Sequence, residues 1–203
     1  MKYFRETGVY KSIRKHMKQE KDILKGLRAK REDAQCLLLK QYGGMVFSQI
    51  VRIVPSREDA EEVYQDVFIK AFRHIESYDE QRASLSTWLM RIAYHEALNF
   101  MRGMNVRKIP IEDDVPEIAN VPDDEMDGFF GKTDEETIGL IEQALERLSF
   151  YEQSLVSMYY YEELSIKEIA YVTDSVPATI ATKLFRVRQK LYHIILDIRN
   201  EGG

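Results

Sequence analysis

Apolar residues recur at helical spacing along most of this chain, and the pattern predicts an all-α protein. Ile23, Leu24 and Leu27 mark a short amphipathic helix from Lys21. After Lys30-Arg31, a longer one carries Ala34, Leu37, Leu38, Tyr42, Met45 and Val46. Gly43-Gly44 lies inside it and signals a bend or a close helix contact, at some cost in helix propensity. Pro55-Ser56 restarts the chain, and Ser56 with Asp59 reads as a capping pair. In the helix that follows, Ala60, Val63, Tyr64, Val67, Phe68, Ala71, Phe72 and Ile75 keep the period without a miss and make a broad core face. Glu58, Glu61, Glu62, Gln65, Asp66, Lys70 and Arg73 fall opposite, with Ile69 among them. One apolar residue on a charged face is usually inconsequential; it is also what the anchor of a partner site ringed by charge looks like.

The polar run Glu76 to Ser86 reads as a loop, after which Thr87 opens a helix that ends at Gly103. Leu85, Leu89, Ile92, Ala93, Ala97 and Phe100 supply its buried side, while Trp88, Arg91, Tyr94, His95, Asn99 and Arg102 fall toward other faces. Aromatics, an amide and cations beside a polar loop resemble a stacking surface for unpaired bases. The alternative is that Trp88 is a core side chain, and the residues alone leave both open.

Further on, Thr133 with Glu136, Ser149 with Glu152, and Ser165 with Glu168 repeat the capping-box spacing, each ahead of an apolar period. The last box opens SIKEIAYVTDSVPATIATKLFRVRQK, two helices joined by the breaker Thr173-Asp174-Ser175. Ser175 is a good cap for the second of them, and Pro177 falls in its first turn, where no intrahelical amide is needed. Ile180, Leu184, Val187, Leu191 and Ile194 form its buried stripe; Thr179, Thr182, Lys183, Arg186, Gln189, Lys190 and His193 occupy the other side. Hydroxyls near the start of a second helix and cations further along suit a major groove, where short side chains reach base edges and Lys or Arg neutralises phosphates. An ordinary antiparallel helix pair with a solvated basic face fits the same residues. Tyr159-Tyr160-Tyr161 reads as core and rim packing.

Charge changes this picture. The formal net charge of −5 speaks against nucleic acid if taken whole. The residues from Ile109 to Glu136, however, hold eleven acids and one base, and removing that net −10 from the −5 leaves +5 for the rest. The acidic piece, with Pro110, Pro116, Pro122 and Gly128, is expected to be a mobile, extended linker, with Phe129-Phe130 its one apolar spot. The expected organisation is a basic extension over 1–20, a helical domain over 21–103, the linker over 104–132 and a second helical domain over 133–200. Cys36 is alone, so no intramolecular disulfide or thiol cluster is available. His95-Glu96-Ala97-Leu98-Asn99 lacks the second His of a zinc helix, and no metal or cofactor is expected. No nucleophile–base set or Gly-rich phosphate loop points to an enzyme. The absence of a long apolar run and of a signal peptide leads to a cytoplasmic expectation.

Three stretches, SREDAEEVYQDVFIKAFRHI, STWLMRIAYHEALNFMRG and LSIKEIAYVTDSVPATIATKLFRVRQKL, resemble the second and fourth conserved regions of bacterial sigma factors of the extracytoplasmic-function (ECF) group. The resemblance covers nearly everything from Ile23 to Leu191 outside the linker. It implies a promoter-specificity subunit without catalysis, whose partners are core RNA polymerase, promoter DNA and an anti-sigma factor. The face with Glu62, Gln65, Asp66, Ile69 and Lys70 would bind the coiled-coil clamp of the polymerase largest subunit. Tyr78, Trp88, Arg91, His95, Asn99 and Arg102 would engage the proximal promoter element around a flipped base; Thr179, Thr182, Lys183, Phe185, Arg186 and Lys190 would read the distal one. The linker would thread toward the RNA-exit channel. Ala181 stands where many relatives carry arginine, His95 where Asn is common, and Asp79-Glu80 makes the base-pocket loop acidic. A stand-alone helix-turn-helix regulator is the rival reading, but it accounts for Ser165–Lys190 only.

Overall fold

The computed structural model describes residues 19–104, 123–130 and 135–201, and all of its regular structure is helical among the described residues. The basic N-terminal extension, most of the acidic linker and the Thr133 cap fall outside them.

Four helices make the N-terminal region: α1 over 19–28, α2 Glu32–Val51, α3 Arg57–His74 and α4 Leu85–Gly103. The Ser56 hydroxyl accepts the Asp59 amide and starts α3; α4 starts two residues before Thr87, because Ser84 is the cap and accepts the Thr87 amide. Val63, Val67, Phe68 and Ala71 of α3 are buried against α2 and α4, as their spacing requires. Gly43 is a close contact: a Cβ there would sit 2.5 Å from the Tyr64 hydroxyl, and Tyr64 continues into a ring stack with Phe68 at 4.9 Å.

The C-terminal region comprises α5 Asp123–Phe130, α6 Glu135–Glu146, α7 Phe150–Val156, a π-turn Ser157–Tyr161, α8 Ile166–Thr173 and α9 Pro177–Glu201. Both reciprocal capping boxes form, Ser149 with Glu152 at α7 and Ser165 with Glu168 at α8. Three sequence readings are corrected. The expectation of an extended linker fails at its C-terminal end, where α5 buries Met126 and Phe129 on α9; Phe129 meets Tyr192 edge-on at 5.7 Å, and Arg199 and Arg188 lie over Phe129 and Phe130. Burying two large side chains outweighs the weak local helix signal. The tyrosines pack at the rim and not in the core: Tyr159, Tyr160 and Tyr161 of the π-turn are all exposed, with Tyr161 beneath Arg52. Gln189 is buried rather than on the polar side of α9.

Two apolar clusters organise the molecule. One lies within the C-terminal region, joining α5, α6 and α9 through Ala144, Leu148, Leu191 and Ile195. The other crosses between regions: Leu155, Met158, Leu164, Ile169 and Ala170 join the core of α1–α4. The C-terminal region therefore sits on the N-terminal one, with α8 packed along α4.

Candidate nucleic-acid and partner interface

On α3, burying the core face leaves Glu62, Gln65, Asp66, Ile69 and Lys70 exposed together. Ile69 keeps 44% of its surface in water amid these polar neighbours. Lys70 is less available than its position suggests, because its Nζ reaches Glu96 Oε1 on α4 at 2.5 Å.

The loop and α4 hold the second predicted group. Tyr78 and Trp88 are both buried, their rings 5.4 Å apart, and the Tyr78 hydroxyl donates to the Ala83 carbonyl at 3.1 Å. Burial, the largest cause, pushes the Tyr78 phenol up to about 12. Trp88 thus serves as a core side chain in this conformation. Arg91 and His95 are half-buried, whereas Asn99 and Arg102 are exposed at the C-terminal end of α4.

What covers Arg91 and His95 is the C-terminal end of α8. The Arg91 guanidinium donates to both Asp174 carboxylate oxygens, at 2.6 and 2.8 Å, and to the Tyr171 carbonyl, and it stacks over the Tyr171 ring at 4.9 Å. His95 Nε2 lies 3.2 Å from Asp174 Oδ2. Burial lowers the His95 pKa, with Asp174 opposing it. One α4 turn earlier, the Thr87 hydroxyl donates to Glu168 at 3.1 Å. Burial works against the charged Glu168, but the hydrogen bonds from Ser165 and Thr87 outweigh it and hold its carboxyl below the usual range. The same seam continues at α2, where the Gln49 amide donates to Ser154 at 2.5 Å and Arg52 stacks over Tyr161. Nothing in the sequence flagged Asp174 or Tyr171 as partners of Arg91, eighty or more positions away.

The third group lies on one face of α9. Asp174 adopts the left-handed conformation, φ 54° and ψ 37°, and turns the chain from α8 into α9, which begins at Pro177. Ser175 does not cap α9; its hydroxyl donates to the Thr173 carbonyl at 3.4 Å. Thr179, Thr182, Lys183 and Arg186 line one shallow recess, with Phe185 exposed nearby. The Thr182 hydroxyl bonds back to the Ala178 carbonyl, and Lys183 sits over the Tyr151 ring. Lys190 is held by both Glu152 oxygens at 2.9 Å. Arg186 is exposed and forms no ion pair among the described residues. No cluster of His, Cys, Asp and Glu capable of holding a metal occurs among the described residues.

Residues 38–105 match the model of sigma-70 region 2, and residues 138–191 match that of sigma-70 region 4. The chain is 31% identical over 163 residues to the ECF RNA polymerase sigma-E factor of Haemophilus influenzae, an alignment spanning 76% of this chain and 84% of the relative. The chain is an ECF sigma factor of the sigma-70 family. It directs RNA polymerase to promoters and is not itself an enzyme. The RNA polymerase sigma-H factor of Pseudomonas aeruginosa is 27% identical over 196 residues, covering 91% of this sigma factor and 98% of the relative. Among solved structures, CnrH in complex with the cytosolic domain of CnrY superposes with a TM-score of 0.61 at 16% identity, covering 89% of this chain and 98% of that one. RpoE in complex with the anti-sigma factor NepR, from Bartonella quintana, gives 0.56 at 21% identity over 80% of this chain and 96% of that one. Region 2 corresponds to most of α2–α4, and region 4 runs from within α6 into α9. No described helix is long and apolar enough to cross a membrane.

Proposed function

We propose that this sigma factor grips its promoter and its polymerase through three separate surfaces. The exposed face of α3, with Glu62, Gln65, Asp66, Ile69 and Lys70, docks on core RNA polymerase, Ile69 entering an apolar pocket and the charges setting register. The α4 surface and the loop before it bind the proximal element through Arg91, His95, Asn99 and Arg102, and hold an unstacked base against Tyr78 and Trp88 once these two, buried here, are uncovered. There the energy of stacking and hydrogen bonding offsets the few kcal/mol that flipping costs. Helices α8 and α9 act as a helix-turn-helix: Thr179, Thr182, Lys183, Phe185 and Arg186 face the distal element, and Lys190 joins them if it exchanges Glu152 for a phosphate. The acidic segment ahead of α5 serves as a tether between the two regions, which work in the cytoplasm. Two structural relatives, CnrH and RpoE, were solved with CnrY and the anti-sigma factor NepR, and an anti-sigma factor is proposed for this chain by analogy.

The observation that carries the reading is Ile69: it is exposed amid charge while the apolar residues of the periodic face are buried or half-buried. Pull-down with purified core polymerase tests it. Asp66→Lys abolishes association while the protein keeps its helicity and melting temperature; undiminished binding overturns the assignment. Run-off transcription from genomic fragments tests the two DNA surfaces. A stand-alone regulator would instead bind duplex DNA unaided.

A further inference from the structure

Building on the proposed DNA-binding role of α4, we infer that the turn between α8 and α9 is an intramolecular stand-in for DNA, whose acceptor oxygens occupy Arg91 and cover His95 and hold the sigma factor in a closed form that cannot engage the proximal element. The donors on α4 are those assigned to nucleic acid, and their present partners are a carboxylate and a carbonyl. Asp174 presents both anionic oxygens to one guanidinium nitrogen, Nη2, at 2.6 and 2.8 Å, a charge-assisted contact of the kind a phosphate makes, and brings one of them within 3.2 Å of His95. The Tyr171 carbonyl accepts from the same guanidinium, whose carbon lies over the Tyr171 ring 4.9 Å from its centroid, contacts of the kinds a base edge and a base face offer. While α8 lies on α4 these atoms are half-covered, and the Arg91 guanidinium is already engaged.

The seam is made to separate. Besides its apolar contacts it carries Gln49 bonded to Ser154, Thr87 bonded to Glu168, and Arg52 over Tyr161. Gln49 Oε1 and Arg52 Nε are buried there without a hydrogen bond, as is His95 Nε2, which lies near Asp174 without bonding to it, and Ser157 Oγ, one turn beyond Ser154, is likewise unpaired. Each of these atoms regains water when the two regions part, which lowers the cost of opening. Asp174 belongs to none of the three docking surfaces, so its charge can be altered without removing a DNA or polymerase contact. Opening frees Arg91 and His95 and, at the same time, lets region 4 move to a promoter element some distance away.

The test uses the full chain without polymerase. In a Cys36→Ser background, spin labels at Lys40→Cys on α2 and Asp197→Cys on α9, both exposed positions, report the distance between regions. With Asp174 intact, a single narrow distribution is expected. Asp174→Lys sets a cation against Arg91 and shifts the population to longer, broader distances. Asp174→Asn keeps a residue suited to the left-handed turn while removing the charge, and gives an intermediate shift. Affinity for a random-sequence single-stranded oligonucleotide rises in the same order, roughly three- to tenfold for Asp174→Lys, the scale of losing one half-exposed charge pair and adding a repulsion. A broad distribution with Asp174 intact, or distances unmoved in both variants of unchanged helicity, overturns the proposal even if affinity rises, because the change of charge alone favours a polyanion. The distance measurement needs neither promoter nor polymerase. A failure of the docking assignments on α3 or α9 would therefore leave it standing, and its own failure would leave them.

Discussion

Ile69→Ala separates a docking anchor from an incidental surface residue. Complete burial of an isoleucine side chain is worth about 1.5–3 kcal/mol. Ile69 already has 44% of its surface in water, so a partner has that fraction left to bury, or about 0.7–1.3 kcal/mol. Truncation should therefore weaken core-polymerase binding by roughly three- to tenfold, at a cost to the isolated protein of less than about 0.5 kcal/mol because the side chain supports little of the core. Titration of labelled sigma factor with core enzyme gives the first quantity and thermal melting the second. A change in Kd of less than about twofold refutes the anchor. A large loss of melting temperature shows instead that the side chain works within the fold.

Trp88→Ala removes a buried ring stacked on Tyr78 and should cost about 3–5 kcal/mol of stability, so promoter melting is better examined in Trp88→Phe, which keeps most of the packing and shows a defect in open-complex formation only if the indole contacts DNA. Arg186→Ala should weaken promoter binding by about 1–3 kcal/mol with relaxed specificity at one position; a uniform loss with a shallower salt dependence makes it a phosphate contact. Gly26→Ala should destabilise region 2 by about 1–3 kcal/mol in a denaturant melt, because the new Cβ meets the Ala34 Cβ at 2.5 Å and neither can rotate away. The closed form should weaken as the pH falls below the free-histidine pKa: burial lowers the His95 pKa against the opposition of Asp174, with Arg91 and Arg102 also lowering it, so the closed form binds the proton less readily than an open form with a free His95. That contribution is complete above the free-histidine pKa and is lost on acidification, ahead of Glu162 and Glu168; the inter-region distance followed against pH checks it, and a closed population that grows on acidification contradicts it.

Much of the fold was legible because its determinants are local. Ser149 with Glu152 and Ser165 with Glu168 fix helix starts within four residues, and the unbroken period of α3 fixes which side of that helix is buried. The same period says nothing about which surface does the burying. Ile169 and Ala170 were readable as apolar, yet part of what they pack against is region 2. Helix α5 was missed for a related reason: its local signals are poor, and Met126 and Phe129 gain their burial from α9, some sixty positions on. The candidate surfaces on α3 and α9 were visible as faces. The engagement of Lys190 by Glu152 and of Arg91 by Asp174 depends on tertiary packing and left no trace in spacing.

The composition of the seam bears on how such a protein can be both stable and switchable. Had α8 met α4 through aliphatic side chains alone, separating the regions would expose a continuous apolar face and cost what unfolding a domain costs. Arg91, His95, Thr87 and Gln49 interrupt that face with groups that water can satisfy. Gln49 Oε1, buried without a partner in the closed form, meets water in the open one, which narrows the gap between the two. The half-exposed Arg91–Asp174 pair returns only about 0.2–1 kcal/mol, since solvent screens it. The apolar contacts of Leu155, Met158 and Leu164 offset these costs, and with the two forms so nearly balanced the Arg91–Asp174 contact tips the population toward the closed one. A polyanion arriving at α4 competes with that carboxylate for Arg91, while the contacts of α2, α3 and α4 with one another do not depend on it.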